Sequence, residues 1–405
     1  MTSEAIKQRI YSIDLLRGIV MMIMLLDHTR EFVHAGALTS DPTNPETTTV
    51  PIFFTRWITH FCAPAFVFLS GVSIYLQKSY GKSNRELAWF LVTRGLWLVL
   101  LEFTVVRLGI VFNLDYSFFG LAQVIWVIGV SMIIMAAVIY LPLRITGVVS
   151  VATIVLHNLL DGFAAPLNIA FGGTPPPTGG QILWFVLHQQ AFIPLPGDSM
   201  ILMGYPLIPW VAVMAAGYAF GPVYNWSSDV RQRWILIGGA AMTALFVILR
   251  LINIYGDPVP WRFYDNAAAT VLSFFNVSKY PPSLLFLLMT LGPSLIVLAI
   301  AERVDGRAVW QRVAITFGRV PMFYYILQWF TAHGFGVVLG LIAGKDVGYL
   351  FLSIIAMGQS APPDYGFSLA VTYGAWIAGL VLLYPLCVWW GKLKQRKKHW
   401  IFSYI

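Results

Sequence analysis

Long apolar segments separated by short polar stretches dominate the chain. An apolar window of about 20 residues is long enough to cross a membrane as a helix. Such windows occur at approximately 12–31, 52–76, 87–106, 118–141, 146–161, 205–224, 233–252, 282–301, 314–342 and 367–391. The pattern therefore predicts an all-α fold, a polytopic membrane helix bundle of about ten transmembrane helices.

The distribution of basic residues predicts which ends of these helices face the cytoplasm. Cytoplasmic loops carry an excess of Lys and Arg. With the amino terminus inside, the inner side receives most of the 26 Lys and Arg residues, and the outer side keeps only Arg30, Arg56, Arg107, Arg250, Arg262, Lys279 and Lys345. Both termini are therefore predicted to be cytoplasmic.

Residues 347–358 form an additional apolar stretch. At about a dozen residues it is too short to cross as a helix. Counting it as a span would also move the basic cluster from Lys392 to Lys398 to the outer side. We therefore expect it to lie in the interface or to re-enter the membrane.

The composition excludes a water-soluble enzyme. Hydrophobic residues make up 58% of the 405, charged residues only 11%, and the mean hydropathy is +0.73, whereas soluble domains carry roughly 25% charged residues. The net charge of +8 resides in short loops between spans, so we expect membrane lipids and no nucleic acid as partners. Cys62 and Cys387 both lie in apolar segments, which implies no disulfide framework.

The predicted organisation is a single integral-membrane domain over residues 1–405. The start of the chain resembles a signal peptide, with Lys7 and Arg9 before an apolar run. Asp14 and Arg17 interrupt that run, so it is interpreted as a retained first helix. Two long connections, at about 162–204 and 253–281, are predicted to face outward as periplasmic loops, and loops of this length commonly bind ligands or act as lids.

The first helix ends in the run Asp27-His28-Thr29-Arg30. Ionisable residues at membrane depth are rare and indicate a functional site by default. The alternative is structural, with Asp27 and Arg30 neutralising each other at the helix end. A histidine here can act as a general base, and Asp27 could pair either with His28 or, three positions on, with Arg30.

The second span enters from the same outer side and brings further ionisable residues. Arg56 and His60 lie at its start, and Lys279 precedes the eighth span. Together with Arg30 and His34, these residues could form one outer pocket around His28. Lys279 could equally be an interfacial residue that extends to the headgroups. A zinc site of His28, His34, His60 and Asp27 is the third option, but the spacing matches no closed zinc motif, and no metal is expected.

Two arginines, Arg94 and Arg319, are predicted to lie near the inner face. Arginine is suited to phosphate binding because its guanidinium donates a fork of hydrogen bonds. Each of the two could instead contact lipid headgroups.

At this point the motifs resemble a known family, the transmembrane acyltransferases, and more closely the bacterial relatives of the heparan-α-glucosaminide N-acetyltransferase catalytic domain. The first motif is Ile13-Asp14-Leu15-Leu16-Arg17-Gly18 followed by His28. The other stretches that fit are 66–71, 205–210, 279–283, 318–321, 384–387 and 400–404. They run from one end of the chain to the other.

The resemblance implies a membrane enzyme that transfers an acyl group, taken from acyl-CoA, to a sugar. By motif position His28 corresponds to the active polar residue of the first helix, and His34 is the candidate for a catalytic histidine slightly downstream. The ninth helix of the family often carries a histidine after its aromatic pair. Here that pair leads to Gln328, which departs from the family pattern.

The leading prediction is an acyltransferase of the bacterial inner membrane. It would use acetyl-CoA as the acyl donor, with Arg94 and Arg319 binding the donor, and a periplasmic sugar or glycan as the acceptor. His28 and Asp27 would be catalytic, and Arg30, Arg56 or Lys279 would stabilise the oxyanion.

Two other functions remain open, as does the oligomeric state, with a homodimer as one option. The first is a transporter or flippase for an anionic amphiphile, which the lack of a visible internal repeat disfavours. The second is a non-catalytic membrane partner whose charges only set topology.

Overall fold

The computed structural model describes residues 10–197 and 199–397. Lys7, Arg9, Lys398 and the motif at 400–404 lie outside the described residues, so the predictions that involve them stay predictions.

The described part of the chain is a bundle of α-helices with three short strands. The helices are α1 Tyr11–Val33, α2 Val50–Trp57, α3 Cys62–Ser79, α4 Asn84–Leu101, α5 Arg107–Val111, α6 Val124–Val138, α7 Leu143–Leu156, α8 Leu167–Ala170, α9 Gly179–Leu187, α10 Leu207–Phe220, α11 Ser228–Ile252, α12 Ala267–Phe275, α13 Leu284–Ala301, α14 Val309–Arg319, α15 Pro321–Ile342, α16 Ile354–Ser360 and α17 Leu369–Arg396. The strands are β1 Phe118–Ala122, β2 Ala191–Pro194 and β3 Met200–Met203.

Several of these helices join into longer rods. A 3₁₀ turn at Ile58–Phe61 connects α2 to α3, and a π-helical turn at Glu102–Val106 connects α4 to α5. Within the described residues, eight helical segments are long and apolar enough to cross a membrane. α6 is apolar but shorter, and α1 carries several charged residues.

The all-α, polytopic class predicted from the sequence is confirmed. Each predicted span contains a helix. The total of ten crossings and the cytoplasmic location of both termini stay predictions. Residues 347–358 hold only the 3₁₀ turn Gly348–Phe351 and the start of α16, in agreement with the expectation that they do not cross.

A small mixed sheet lies where the sequence predicted the start of a helix and a long loop. β1 pairs with β3 in parallel and β2 pairs with β3 antiparallel. β1 occupies the first residues of the predicted span 118–141, and the helix begins only at Val124. Hydropathy does not distinguish a buried strand from a buried helix end. The segments predicted as the loops 162–204 and 253–281 contain α8, α9, β2, β3 and α12.

Helix α1 lies at the centre of the bundle and contacts α3, α13, α14, α15 and α17. It crosses α14 at two glycines, Gly18 and Gly318. A Cβ on Gly18 would stand 1.7 Å from the carbonyl oxygen of Ala314, and a Cβ on Gly318 would stand 1.9 Å from that of Asp14. The two glycines of the sequence motifs therefore permit direct backbone contact between the helices.

Candidate functional site

A cavity of about 200 Å³ lies at the predicted outer end of α1. Four residues of α1 (Met24, Asp27, His28 and Glu31) line it, together with Arg56 of α2 and side chains from the sheet, the 279–280 segment and α15. We call it the outer pocket. It brings together residues that are more than 250 positions apart in the chain.

His28 lies in the outer pocket with one imidazole face covered. Its ring stacks on the indole of Trp329, with ring centroids 3.5 Å apart and planes 19° apart. Its Nδ1 has no hydrogen-bond partner among the described residues. A buried polar atom without a partner is uncommon and calls for an explanation. One explanation that the geometry allows is a substrate in the pocket that forms a hydrogen bond with this nitrogen.

Asp27 is held by two arginines. Arg56 of α2 donates a hydrogen bond to its Oδ2, and Nη2 of Arg30 lies 3.7 Å from its Oδ1. Because a buried carboxylate must be compensated, α2 and α1 are tied together at this point. The sequence left His28 and Arg30 as possible partners of Asp27. In the structure Arg30 lies beside Asp27, and Arg56 is a further partner.

The predicted site residues divide into two groups. Asp27, His28, Arg56 and Lys279 line the outer pocket. Arg30, His34 and His60 are not among its lining residues. His34 ends α1 and pairs through its backbone with Phe367, while the ring of His60 packs against Phe286 at 5.5 Å.

Sequence reasoning missed several polar residues of the outer pocket. Glu31 follows Asp27 by four positions, so it shares the same helix face, and that spacing could have identified it. Gln123 and Gln190 come from the ends of β1 and β2, respectively, and no local signal marks them. Tyr205 and Tyr280 complete this set.

The two tyrosines lie outside the membrane-spanning helices, and their rings are 5.5 Å apart. Burial raises the pKa of Tyr205 well above its ordinary value, and the neighbouring Tyr280 adds to that shift. Burial also acts to raise the pKa of Tyr280, but the positive charges of Lys279 and Arg56 outweigh it, so the pKa is lowered. The outer pocket therefore favours negative charge at Tyr280 over Tyr205.

A second cavity, of about 390 Å³, lies at the predicted cytoplasmic end of α1. We call it the inner cavity. Three cations line it, Arg17, Lys82 and Arg94, together with apolar residues of α3, α4 and α6. Nη2 of Arg17 donates to Ser73 Oγ at 3.3 Å, and Nζ of Lys82 lies 4.2 Å from the centre of the Phe90 ring. A cationic rim over apolar walls suits a ligand with phosphates and a long, uncharged arm.

Of the two predicted donor-binding arginines, Arg94 lines the inner cavity and Arg319 is not among its lining residues. Arg319 lies 3.7 Å from Asp14 and over the ring of Tyr11. Arg17 and Lys82 were not assigned to donor binding from the sequence.

The outer pocket and the inner cavity share three lining residues, Met24, Val124 and Tyr325. Met24 precedes His28 by one helical turn on α1, and Tyr325 precedes Trp329 by one turn on α15. Met24 and Tyr325 therefore lie about 6 Å along the helix axes below the His28–Trp329 stack. We call the wall formed by the three shared residues the junction.

Metal ligation finds no support in the arrangement of the site. Within residues 10–197 and 199–397, no three His, Cys, Asp or Glu side chains are grouped as metal ligands would be. The expectation that no metal takes part stays a prediction.

The fold and these cavities define a class of protein, a polytopic membrane protein with binding spaces at both ends of its central helix. Residues 9–252 match the family described as heparan-alpha-glucosaminide N-acetyltransferase, catalytic. Because that match covers more than half of the chain, the chain belongs to this family, one of membrane acetyltransferases. No curated protein matched the chain. The matched region includes Asp27, His28, Arg56 and Arg94, and ends before Lys279 and Tyr325.

Proposed function

We propose that this protein transfers an acyl group, in the first place acetyl, from acyl-CoA to a sugar or glycan on the opposite side of the membrane. The observation that carries the proposal is the junction, where Met24, Val124 and Tyr325 line both the inner cavity and the outer pocket. A donor held below the junction can present its thioester to groups above it.

The donor fits the inner cavity by its chemistry. The phosphates of CoA would bind at Arg17, Lys82 and Arg94 because charge-assisted hydrogen bonds to phosphate are strong. The uncharged pantetheine arm would lie along the apolar walls toward the junction. The excess of Lys and Arg on this side supports a cytoplasmic donor, and a bacterial inner membrane remains our prediction for its location.

The acceptor fits the outer pocket. Sugars are bound by aromatic faces and by side chains that both donate and accept hydrogen bonds. Trp329, Tyr205, Gln123, Gln190 and Glu31 supply these groups. The mixture of acids and bases around them supports a polar acceptor over a hydrocarbon one.

His28 would serve as the general base. Its imidazole would remove the proton from the attacking hydroxyl or amine, and Trp329 would fix the orientation of the ring. Asp27 would offset part of the positive charge of the site, since it pairs with Arg56 and lies beside Arg30. Lys279 remains a candidate for contact with the acceptor or with the developing oxyanion. His34, His60 and Arg319, which do not line either cavity, would have structural roles.

The test is acyl transfer by purified protein in detergent or lipid discs. Wild-type protein should hydrolyse labelled acetyl-CoA slowly or acylate an added amino sugar, and His28→Gln should reduce the rate by at least about 100-fold. His333→Gln is the matched control, because His333 is a buried histidine outside both cavities. If His28→Gln folds, binds CoA and keeps full transfer activity, the proposed mechanism is wrong.

A transporter or flippase for an anionic amphiphile is the second candidate, because two cavities separated only by a shared wall would also suit a transport path. Reconstituted vesicles separate the two functions. Transport predicts uptake of an intact labelled amphiphile without loss of its acyl group, whereas the enzyme predicts free CoA and an acylated acceptor.

A further inference from the structure

The buried side chain of Tyr325 lies in the wall that the two cavities share. It is 5% exposed and lines both the outer pocket and the inner cavity. Its hydroxyl proton has no acceptor among the described residues. Trp329, one turn further along α15, lines the outer pocket, and its indole N–H is within hydrogen-bonding reach of the Tyr325 oxygen.

Location distinguishes the Tyr325 hydroxyl from the other buried tyrosine hydroxyls that have no partner among the described residues. The hydroxyls of Tyr224 and Tyr324 are also buried without a partner, but neither residue lines the outer pocket or the inner cavity. Leaving a buried donor without an acceptor costs about 1–3 kcal/mol. At the junction a ligand could recover that cost, whereas packing surrounds Tyr324.

The cations of the outer pocket are less well placed to act on the thioester. Arg56 donates to Asp27, and Arg30 lies beside the same carboxylate. Lys279 comes from the segment that precedes α13, and its Nζ lies 5.2 Å from the centre of the Tyr280 ring. None of these three cations lines the inner cavity, whereas Tyr325 lines both cavities.

We propose that the Tyr325 hydroxyl supplies the oxyanion-hole hydrogen bond to the acyl thioester at the junction of the two cavities. This inference rests on the proposed function and adds a catalytic residue to it. Donors aimed at a developing oxyanion in a water-poor site are among the largest contributions to catalysis.

The chemistry then runs as follows. The acceptor oxygen or nitrogen attacks the carbonyl carbon, and its proton passes to His28. The carbonyl π electrons move to oxygen, and that oxygen accepts a hydrogen bond from the Tyr325 hydroxyl. When the carbonyl forms again, the C–S bond breaks, and the CoA sulfur takes the proton from His28. Tyr325 keeps its own proton throughout.

The experiment compares Tyr325→Phe with Tyr324→Phe. Both changes remove one buried hydroxyl whose proton has no acceptor among the described residues, from neighbouring positions of α15, so their effects on folding should be similar. Melting temperature, the Kd of CoA, KM and kcat are measured for each. Tyr325→Phe should lower kcat by roughly 100-fold with the Kd of CoA unchanged, and Tyr324→Phe should keep the wild-type kcat.

Three outcomes would overturn the inference. They are an unchanged kcat in Tyr325→Phe, an equal loss of kcat in both variants, and a loss confined to CoA binding. The proposed function has a separate test, because His28→Gln should reduce transfer by at least about 100-fold whichever result Tyr325→Phe gives. Inactive His28→Gln with fully active Tyr325→Phe would therefore refute the oxyanion role alone.

Discussion

Replacing Gly18 by alanine tests how closely α1 must approach α14. The added Cβ would stand 1.7 Å from the carbonyl oxygen of Ala314 and 2.4 Å from its carbonyl carbon. Non-bonded contact needs about 3.5 Å. The clash is with backbone, so no side-chain rotation relieves it, and the helices would have to separate by roughly 1–2 Å. Overpacking of this kind typically costs about 1–3 kcal/mol.

The same separation should reduce activity beyond its effect on stability. α1 carries Arg17 of the inner cavity, Met24 of the junction and His28. A displacement of about 1 Å can cost roughly 100-fold in rate when reacting groups are misaligned. We therefore expect Gly18→Ala to melt at a lower temperature in detergent and to lose kcat even at temperatures where it is fully folded.

Gly334→Ala is the control for this experiment. Gly334 lies in α15, and a Cβ built on it meets nothing within 4 Å. Alanine is favoured over glycine in a helix by up to about 1 kcal/mol, so this variant should melt at the wild-type temperature or slightly above it. A Gly18→Ala protein with wild-type melting temperature and activity would refute the close crossing of α1 and α14.

Three further predictions concern donor binding and buried polar groups. Lys82→Gln and Arg94→Gln should each raise the Kd of CoA, measured by calorimetry, about tenfold, which is equivalent to 1.4 kcal/mol. Pantetheine has no phosphate, so its Kd should not change in either variant. The Glu102 carboxyl group accepts a hydrogen bond of 2.8 Å from a backbone N–H at the start of α6. Glu102→Leu removes this acceptor and should lower the free energy of unfolding by about 1–3 kcal/mol, measured by thermal unfolding. Glu102→Gln keeps an acceptor and should lower it less. Arg250→Met removes a buried guanidinium that donates to four backbone carbonyls at 2.7–3.0 Å, so it should make the outer segment around residue 260 sensitive to protease. Arg262→Met breaks only exposed contacts, the pair with Glu46 and a hydrogen bond to Tyr264, and should change the digestion pattern little.

Local sequence determined the helical elements and the first half of the site. Apolar windows located a helix in every predicted span because crossing a membrane requires long, uninterrupted hydrophobic helices. The position of Asp27 and His28 on one helix follows directly from their order in the chain. The glycines next to Arg17 and Arg319 were visible as motifs, but their role in the α1–α14 crossing was not.

Only the tertiary structure decided which distant side chains meet. Asp27 of α1 pairs with Arg56 of α2. Tyr325, which is nearly 300 residues from His28 in the sequence, lines the same outer pocket. His34 and Arg319, equally plausible from their types and positions, do not line the cavities. Helix periodicity and hydropathy record only short-range order along the chain, whereas packing and the rotation of each helix place residues around a cavity.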